Sequence, residues 1–228
     1  IAKNPVDRPF CLSVSFNAPH AQDGDREFHF PYPSTESNLY KDIRMPRPRL
    51  DSTHHFDSQP EFLRNSMNRD RYFWRWDTEE KYERNMRSYF RMISGLDRNI
   101  GRVMAELKKR GLSDETVIIL IGDNGYYMGE RGFAGKWSHY EQSLRVPLVI
   151  CDPRSDDRPG GLNREIALNL DIAPTLLQLA GASIPDRYQG RSIIRPIDSP
   201  SREGFFCEHR MDNNRIPKWE GYRGSRFV

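Results

Sequence analysis

Thr116–Gly125 read TVIILIGDNG: six strand-forming side chains that stop at a glycine, a carboxylate, a carboxamide and a second glycine. A continuous apolar run of this length is the mark of a strand buried on both faces of a sheet. In open α/β sheets, ligands gather beyond the carboxyl ends of strands. Asp123 and Asn124 stand at such an end. Their side-chain oxygens suit a hard cation such as calcium or magnesium far better than zinc. The flanking glycines let the backbone turn tightly there. D-N-G by itself is also a common turn sequence.

Upstream of this run, Asp77 or Thr78 is positioned to cap a helix, with Glu79, Glu80 and Glu83 in its first turns. Apolar residues then recur at Tyr82, Met86, Tyr89, Phe90, Ile93, Leu96, Ile100, Val103, Met104 and Leu107, in steps that trace one helix face. Gly95 and Gly101 are candidate bends, and Gly111 a terminator. Arg8–Phe16 is a second candidate strand, ending at Asn17-Ala18-Pro19-His20. Residues 21–77 are polar and proline-rich, which predicts a long excursion with short helical pieces near a site.

Downstream, the glycine-rich stretch Gly125–Ser138 reads as a loop, and Ser143–Cys151 as another buried strand entered at Pro147. Asp171–Leu179 reads as a helix with an acidic cap, and Gly204–Cys207 as a strand before a polar tail. Strand, helix, strand, loop, strand, helix predicts an α/β fold, a mostly parallel sheet flanked by helices. We place the main domain at residues 1–198 and the start of a C-terminal subdomain at residues 199–228.

Thirty-five basic and 32 acidic residues leave a net charge of only +3, and the densest basic run, Lys108-Lys109-Arg110, ends the long helix. That placement is explained by the helix dipole, so nucleic acid is not an expected partner. No apolar stretch approaches a membrane span. Hydrophobic content of 36% and a mean hydropathy of −0.80 are low for an enzyme, largely because of the polar excursion. Cys11, Cys151 and Cys207 have no metal-type spacing; the first two sit in apolar runs and are expected to be buried thiols. The chain starts at Ile1 and enters a strand-like run almost at once, as expected of a piece of a larger protein.

Other residues suited to chemistry are loop and strand-end side chains. Lys136, in Gly135-Lys136-Trp137, can present a point charge to an anion. His20, after a proline at a strand end, is a candidate general acid for a leaving alkoxide. His139 is a further candidate to face a site, although its spacing does not demand it, and His209 and Arg210, just past a strand, suit an anionic or hydroxylated substrate.

The stretch Ile121–Pro153, IGDNGYYMGERGFAGKWSHYEQSLRVPLVICDP, resembles the sulfatase family of the alkaline-phosphatase-like superfamily. There a D-N-G or D-H-G at a strand end precedes a G-E-x-G loop, a G-K, and Y-E-x-x-x-R-V-P-L. Three further segments resemble the family in order: Ser15–His20, Leu96–Asp123 and Asp171–Ser192. The resemblance implies a sulfuric ester hydrolase acting on a sulfated small molecule or glycan. It makes Asp123 and Asn124 ligands of calcium, ahead of magnesium. Lys136 would meet the sulfate, and His20 the leaving-group oxygen. It also suggests a periplasmic, extracellular or lysosome-like compartment.

The family's nucleophile is a formylglycine made from cysteine or serine in a C/S-x-P-x-R motif, N-terminal to every segment quoted. Cys151-Asp152-Pro153-Arg154 starts like that motif, but its arginine arrives one position early and it lies beyond the metal-binding pair. The resemblance therefore implies a sheet incomplete at its N-terminus, no nucleophile in this chain, and a missing N-terminal portion as a partner. The rivals are a phosphomonoester, phosphodiester or phosphonate hydrolase of the same superfamily, or a non-catalytic fragment.

Overall fold

The computed structural model describes residues 8–154, 161–194 and 200–224. Among them are helices α1 Thr53–Asp57, α2 Glu61–Arg64, α3 Met67–Arg75, α4 Glu79–Lys109, α5 Glu141–Leu144 and α6 Ile172–Leu179. The strands are β1 Ile118–Ile121, β2 Tyr127–Met128, β3 Ala134–Gly135, β4 Leu148–Cys151, β5 Gly204–His209 and β6 Trp219–Gly224. The chain forms two compact units, one from Ile1–Arg47 with Trp74–Ser113, the other from Pro48–Phe73 with Asp114–Val228.

The first unit is organised by α4. Thr78 caps it, its Oγ1 accepting the Lys81 N–H at 3.2 Å, with Glu79 and Glu80 in the first turn and Lys108 and Lys109 in the last. Tyr82, Met86, Met92 and Leu107 lie on its buried stripe. The helix runs without a break through both glycines expected to bend it. Gly95 instead admits a neighbour, since a Cβ there would lie 2.8 Å from Pro33 Cγ. Residues of the polar excursion supply core here: Phe30 stacks on Trp76 at 5.7 Å and meets Tyr89 edge-on at 5.6 Å. The expected strand Arg8–Phe16 forms no ladder among the described residues, and its Leu12 and Val14 are more than half exposed. A strand requires a hydrogen-bonded neighbour, which propensity alone does not supply.

In the second unit β1 pairs with β4, β2 with β3 and β5 with β6. All three ladders are antiparallel, where the sequence led us to expect mostly parallel pairing. The reason is the connection: the chain returns from β1 to β4 through the β2–β3 hairpin and one helical turn, without a long crossover helix. The class remains α/β. Pro147 has no N–H to give a ladder, so β4 starts at Leu148, and Ser143 and Leu144 close α5 instead.

One face of the β1–β4 pair is open, contrary to the expected burial on both. Leu120 and Val149 are directly opposite and are 38% and 55% exposed. Cys151 shares the face of Val149 by the two-residue alternation and is exposed, as is Cys11; neither is the buried thiol expected. Among the described residues no helix is long and apolar enough to cross a membrane.

Asp171, expected to cap α6, has a different task. Its side chain makes no cap bond to α6; both oxygens accept from Arg202, at 2.7 and 2.8 Å, and also from the Leu168 and Arg191 N–H groups. Burial pushes this carboxyl up, but Arg202 and the two backbone donors outweigh it and hold the pKa below 3.8. A carboxylate with a depressed folded pKa contributes stability above its unfolded pKa and loses it as pH falls through the folded value. Urea midpoints should therefore fall as the pH drops below about 4, and Asp171→Asn should flatten that acid limb while costing about 3 kcal/mol at pH 7. An unchanged acid limb in the variant would contradict the assignment.

Candidate active site at the end of β1

The end of β1 is held from several sides. Gly122 N–H donates to Pro147 O at 3.2 Å and Gly125 N–H to Ser143 O at 2.8 Å. Gly125 is required by close approach, because a Cβ there would collide with the backbone carbonyl of Gln142. Asn169 Nδ2 donates to the carbonyls of Gly122 and Asp123 at 3.2 and 3.0 Å. Asp123 is exposed, and its Oδ1 accepts the Asn124 N–H at 2.8 Å. Asn124 Nδ2 donates to Gly125 O at 2.7 Å, which leaves Oδ1 as the acceptor of the pair. That oxygen accepts from Lys136 Nζ at 2.9 Å.

The stretch read as a glycine-rich loop is a short hairpin around a small core. Tyr127, Phe133 and Leu63 are buried together, with Phe56 and Tyr140 packed against them. Arg69 of α3 lies 3.8 Å over the Phe56 ring and donates to Gly132 O at 3.0 Å. The Glu130 carboxylate accepts the Met128 N–H at 2.6 Å, and burial pushes its pKa up. Tyr127 OH meets Ser138 Oγ at 2.5 Å. Lys136 therefore leaves a fixed β3 and returns its ammonium to the strand end twelve residues earlier.

His139 and His209 meet at Trp219, the first residue of β6. His139 approaches the indole edge-on at 5.9 Å, and His209 lies nearly parallel to it at 6.4 Å. Trp219 Nε1 donates to Trp137 O at 2.7 Å, which joins this aromatic cluster to the Lys136 loop. Burial, assisted by Arg131, holds the His139 pKa below 6.5. His139 is therefore neutral at pH 7, a hydrogen-bonding partner for hydroxyl groups and not a cation. Arg210 donates from Nε to Glu208 Oε2 at 2.7 Å in an exposed pair on the same hairpin.

His20 belongs to the first unit. Its Nδ1 lies 2.8 Å from Ala21 O, and since a carbonyl only accepts, Nδ1 carries the proton in the neutral ring. Nε2 is then the position that exchanges protons.

Asp123 and Asn124 offer oxygens of the kind a hard cation takes, and an ammonium group already rests on Asn124 Oδ1. The donor chemistry fits calcium. Two residues supply only part of the roughly six to eight oxygens calcium takes. Among the described residues no three His, Cys, Asp or Glu side chains are grouped to hold a metal.

Trp219, Asn68 and Asn169 were not singled out from the sequence. Each is a polar or aromatic residue in a stretch with no periodicity to mark it. One sequence match was also passed over. Ser183–Arg187 reads SIPDR and satisfies S-x-P-x-R, so the chain does contain that spacing. It lies in the segment after α6, with Ser183 and Arg187 exposed, inside the stretch that resembles the family's later D-I-A-P-T-L-L segment.

The family model for sulfatases matches residues 1–182. The chain belongs to the sulfatase family. An N-acetylglucosamine-6-O-sulfatase of Bacteroides thetaiotaomicron is 38% identical over 117 residues, 51% of this chain and 21% of that protein. A choline-sulfatase of Rhizobium meliloti is 34% identical over 217 residues, 92% of this chain and 40% of that protein. A solved structure of a protein in complex with its substrate, D-glucosamine-2-N,6-O-disulfate, superposes with a TM-score of 0.59 and 31% identity over 64% of this chain and 31% of its own. This sulfatase-family chain thus spans less than half the length of each of these relatives, and its α/β fold is theirs.

Proposed function

We propose that the whole protein is a sulfuric ester hydrolase that cleaves a sulfate monoester of a sulfated carbohydrate. The observation that carries this reading is the 2.9 Å contact between Lys136 Nζ and Asn124 Oδ1, which brings a cation and an oxygen-donor pair to one strand end. A sulfate monoester needs both: a positive group on its oxygens, and charge stabilisation as the ester bond breaks. Asp123 and Asn124 would hold calcium, which when bound supplies Lewis-acid stabilisation of the sulfate oxygens. Lys136 would hold a sulfate oxygen. His20 would give its proton to the leaving oxygen. The sulfate-accepting group in this proposal is the formylglycine that the family resemblance implies.

The carbohydrate assignment is supported by the sulfated amino sugars named for two of the relatives. It is also supported by the neutral His139 and the indole of Trp219 beside the Lys136 loop, since uncharged hydrogen-bonding and aromatic groups suit a sugar ring.

The test is turnover of an aryl sulfate and the matching aryl phosphate by the whole protein, before and after chelation. The sulfate should be the better substrate, and its turnover should vanish with a chelator and return with calcium. Faster phosphate turnover, or sulfate turnover indifferent to chelation, would overturn the proposal. With His20→Ala, an alkyl sulfate should lose far more rate than a nitrophenyl sulfate, whose leaving group needs no proton; equal losses would remove His20 from that role.

A further inference from the structure

We propose that Trp219 and Asn68 are positioning residues that fix Lys136 by gripping the two peptide groups that follow it. The inference rests on the reading of Lys136 as the group that meets the sulfate.

Asn68 Nδ2, on α3, donates to Lys136 O at 2.7 Å, and Trp219 Nε1, on β6, donates to Trp137 O at 2.7 Å. Successive carbonyls of one loop are thus held by side chains from two different elements. Asn68 is only 3% exposed, so its amide is spent on this contact in a place where an unpaired donor is costly. The residue between the two grips is itself constrained. Trp137 has φ +78°, a left-handed conformation that a residue with a Cβ adopts only at a cost. Such a conformation persists when its surroundings over-determine it. Here they do: besides the grip on its carbonyl, the Trp137 ring has the Arg71 guanidinium 4.6 Å above it, and the next residue, Ser138, is bound to Tyr127.

The consequence falls on Lys136. A lysine side chain has four rotatable bonds, and holding its ammonium in one place costs entropy that a fixed backbone reduces. With the peptide groups after it pinned and β3 before it paired to β2, Lys136 has a defined starting point from which Nζ reaches Asn124 Oδ1 at 2.9 Å. Trp219 is also the ladder partner of His209, so the hairpin that carries a candidate substrate contact is the same element that sets the lysine. Electrostatic stabilisation of an anion depends on such preorganisation. Replacing the indole by phenyl keeps an aromatic ring between His139 and His209 and deletes only the N–H.

The experiment is steady-state hydrolysis of an aryl sulfate by the whole protein and by Trp219→Phe, Asn68→Ala, Lys136→Ala and the double variant Trp219→Phe/Lys136→Ala. Trp219→Phe should lower kcat/KM by about tenfold, the scale of one lost hydrogen bond, with a melting temperature close to wild type. In the Lys136→Ala background the same change should cost nothing further, because the group it positions is gone. Asn68→Ala should follow the same pattern; if that buried change prevents folding, Trp219→Phe decides. Wild-type kcat/KM in Trp219→Phe, or an equal loss with and without Lys136, would overturn the inference while leaving the role of Lys136 intact. Wild-type turnover by Lys136→Ala would remove the lysine's role and this inference with it.

Discussion

Lys136→Ala should lower kcat/KM for an aryl sulfate by about 10²- to 10³-fold in the whole protein, the scale of losing one preorganised charge-stabilising group. Lys136 is half-buried, its loop is held by side chains from other elements, and its ammonium rests on an oxygen. Deleting it removes a positive charge from the place where the sulfate is proposed to sit and leaves the buried Leu63, Tyr127 and Phe133 core under the loop untouched. The melting temperature should therefore hardly change. Lys136→Arg should recover little, because a planar guanidinium fork cannot take the place of a compact ammonium. The measurement is initial rate against aryl sulfate concentration with thermal unfolding alongside; a loss below tenfold with a normal melting temperature would deny the lysine its proposed role.

The second large effect is expected at Asp123. Asp123→Ala removes an exposed carboxylate whose one described side-chain bond is to the adjacent Asn124 N–H. Little folding energy depends on it. If Asp123 is a calcium ligand, however, the loss should weaken calcium binding by at least the roughly 10- to 100-fold that losing a ligand's supporting partner costs. Turnover should fall with it and recover partly at high calcium. Titration calorimetry of the whole protein with calcium reads this directly, and wild-type affinity in the variant would exclude Asp123 from the site.

Much of this was legible in the sequence. The long helix was, because an apolar stripe in steps of three and four admits one reading, and its Thr78 cap and charged ends agreed with it. So was β1, whose apolar run and abrupt stop at Gly122 fix where a site can sit. The resemblance implied a calcium role for Asn124 and a sulfate role for Lys136, and in the structure Lys136 Nζ lies 2.9 Å from Asn124 Oδ1. Pairing was not legible. Nothing local in Arg8–Phe16 says whether a neighbouring strand exists, and nothing in Leu148–Cys151 says that it runs antiparallel to β1. Asp171 shows a second limit: a carboxylate at a helix start is a good cap, but Arg202, thirty-one residues later, is the stronger partner. Trp219 and Asn68 were invisible for the same reason, since each acts on a backbone carbonyl more than sixty residues away.

In the proposed function, Asp123, Asn124 and Lys136 share one anion-and-cation site. A crystal structure of the whole protein with calcium and inorganic sulfate tests it most directly. Calcium should lie about 2.3–2.6 Å from oxygens of Asp123 and Asn124, with Lys136 Nζ within hydrogen-bonding distance of a sulfate oxygen. Calcium or sulfate bound elsewhere, with Lys136 still resting on Asn124, would contradict it.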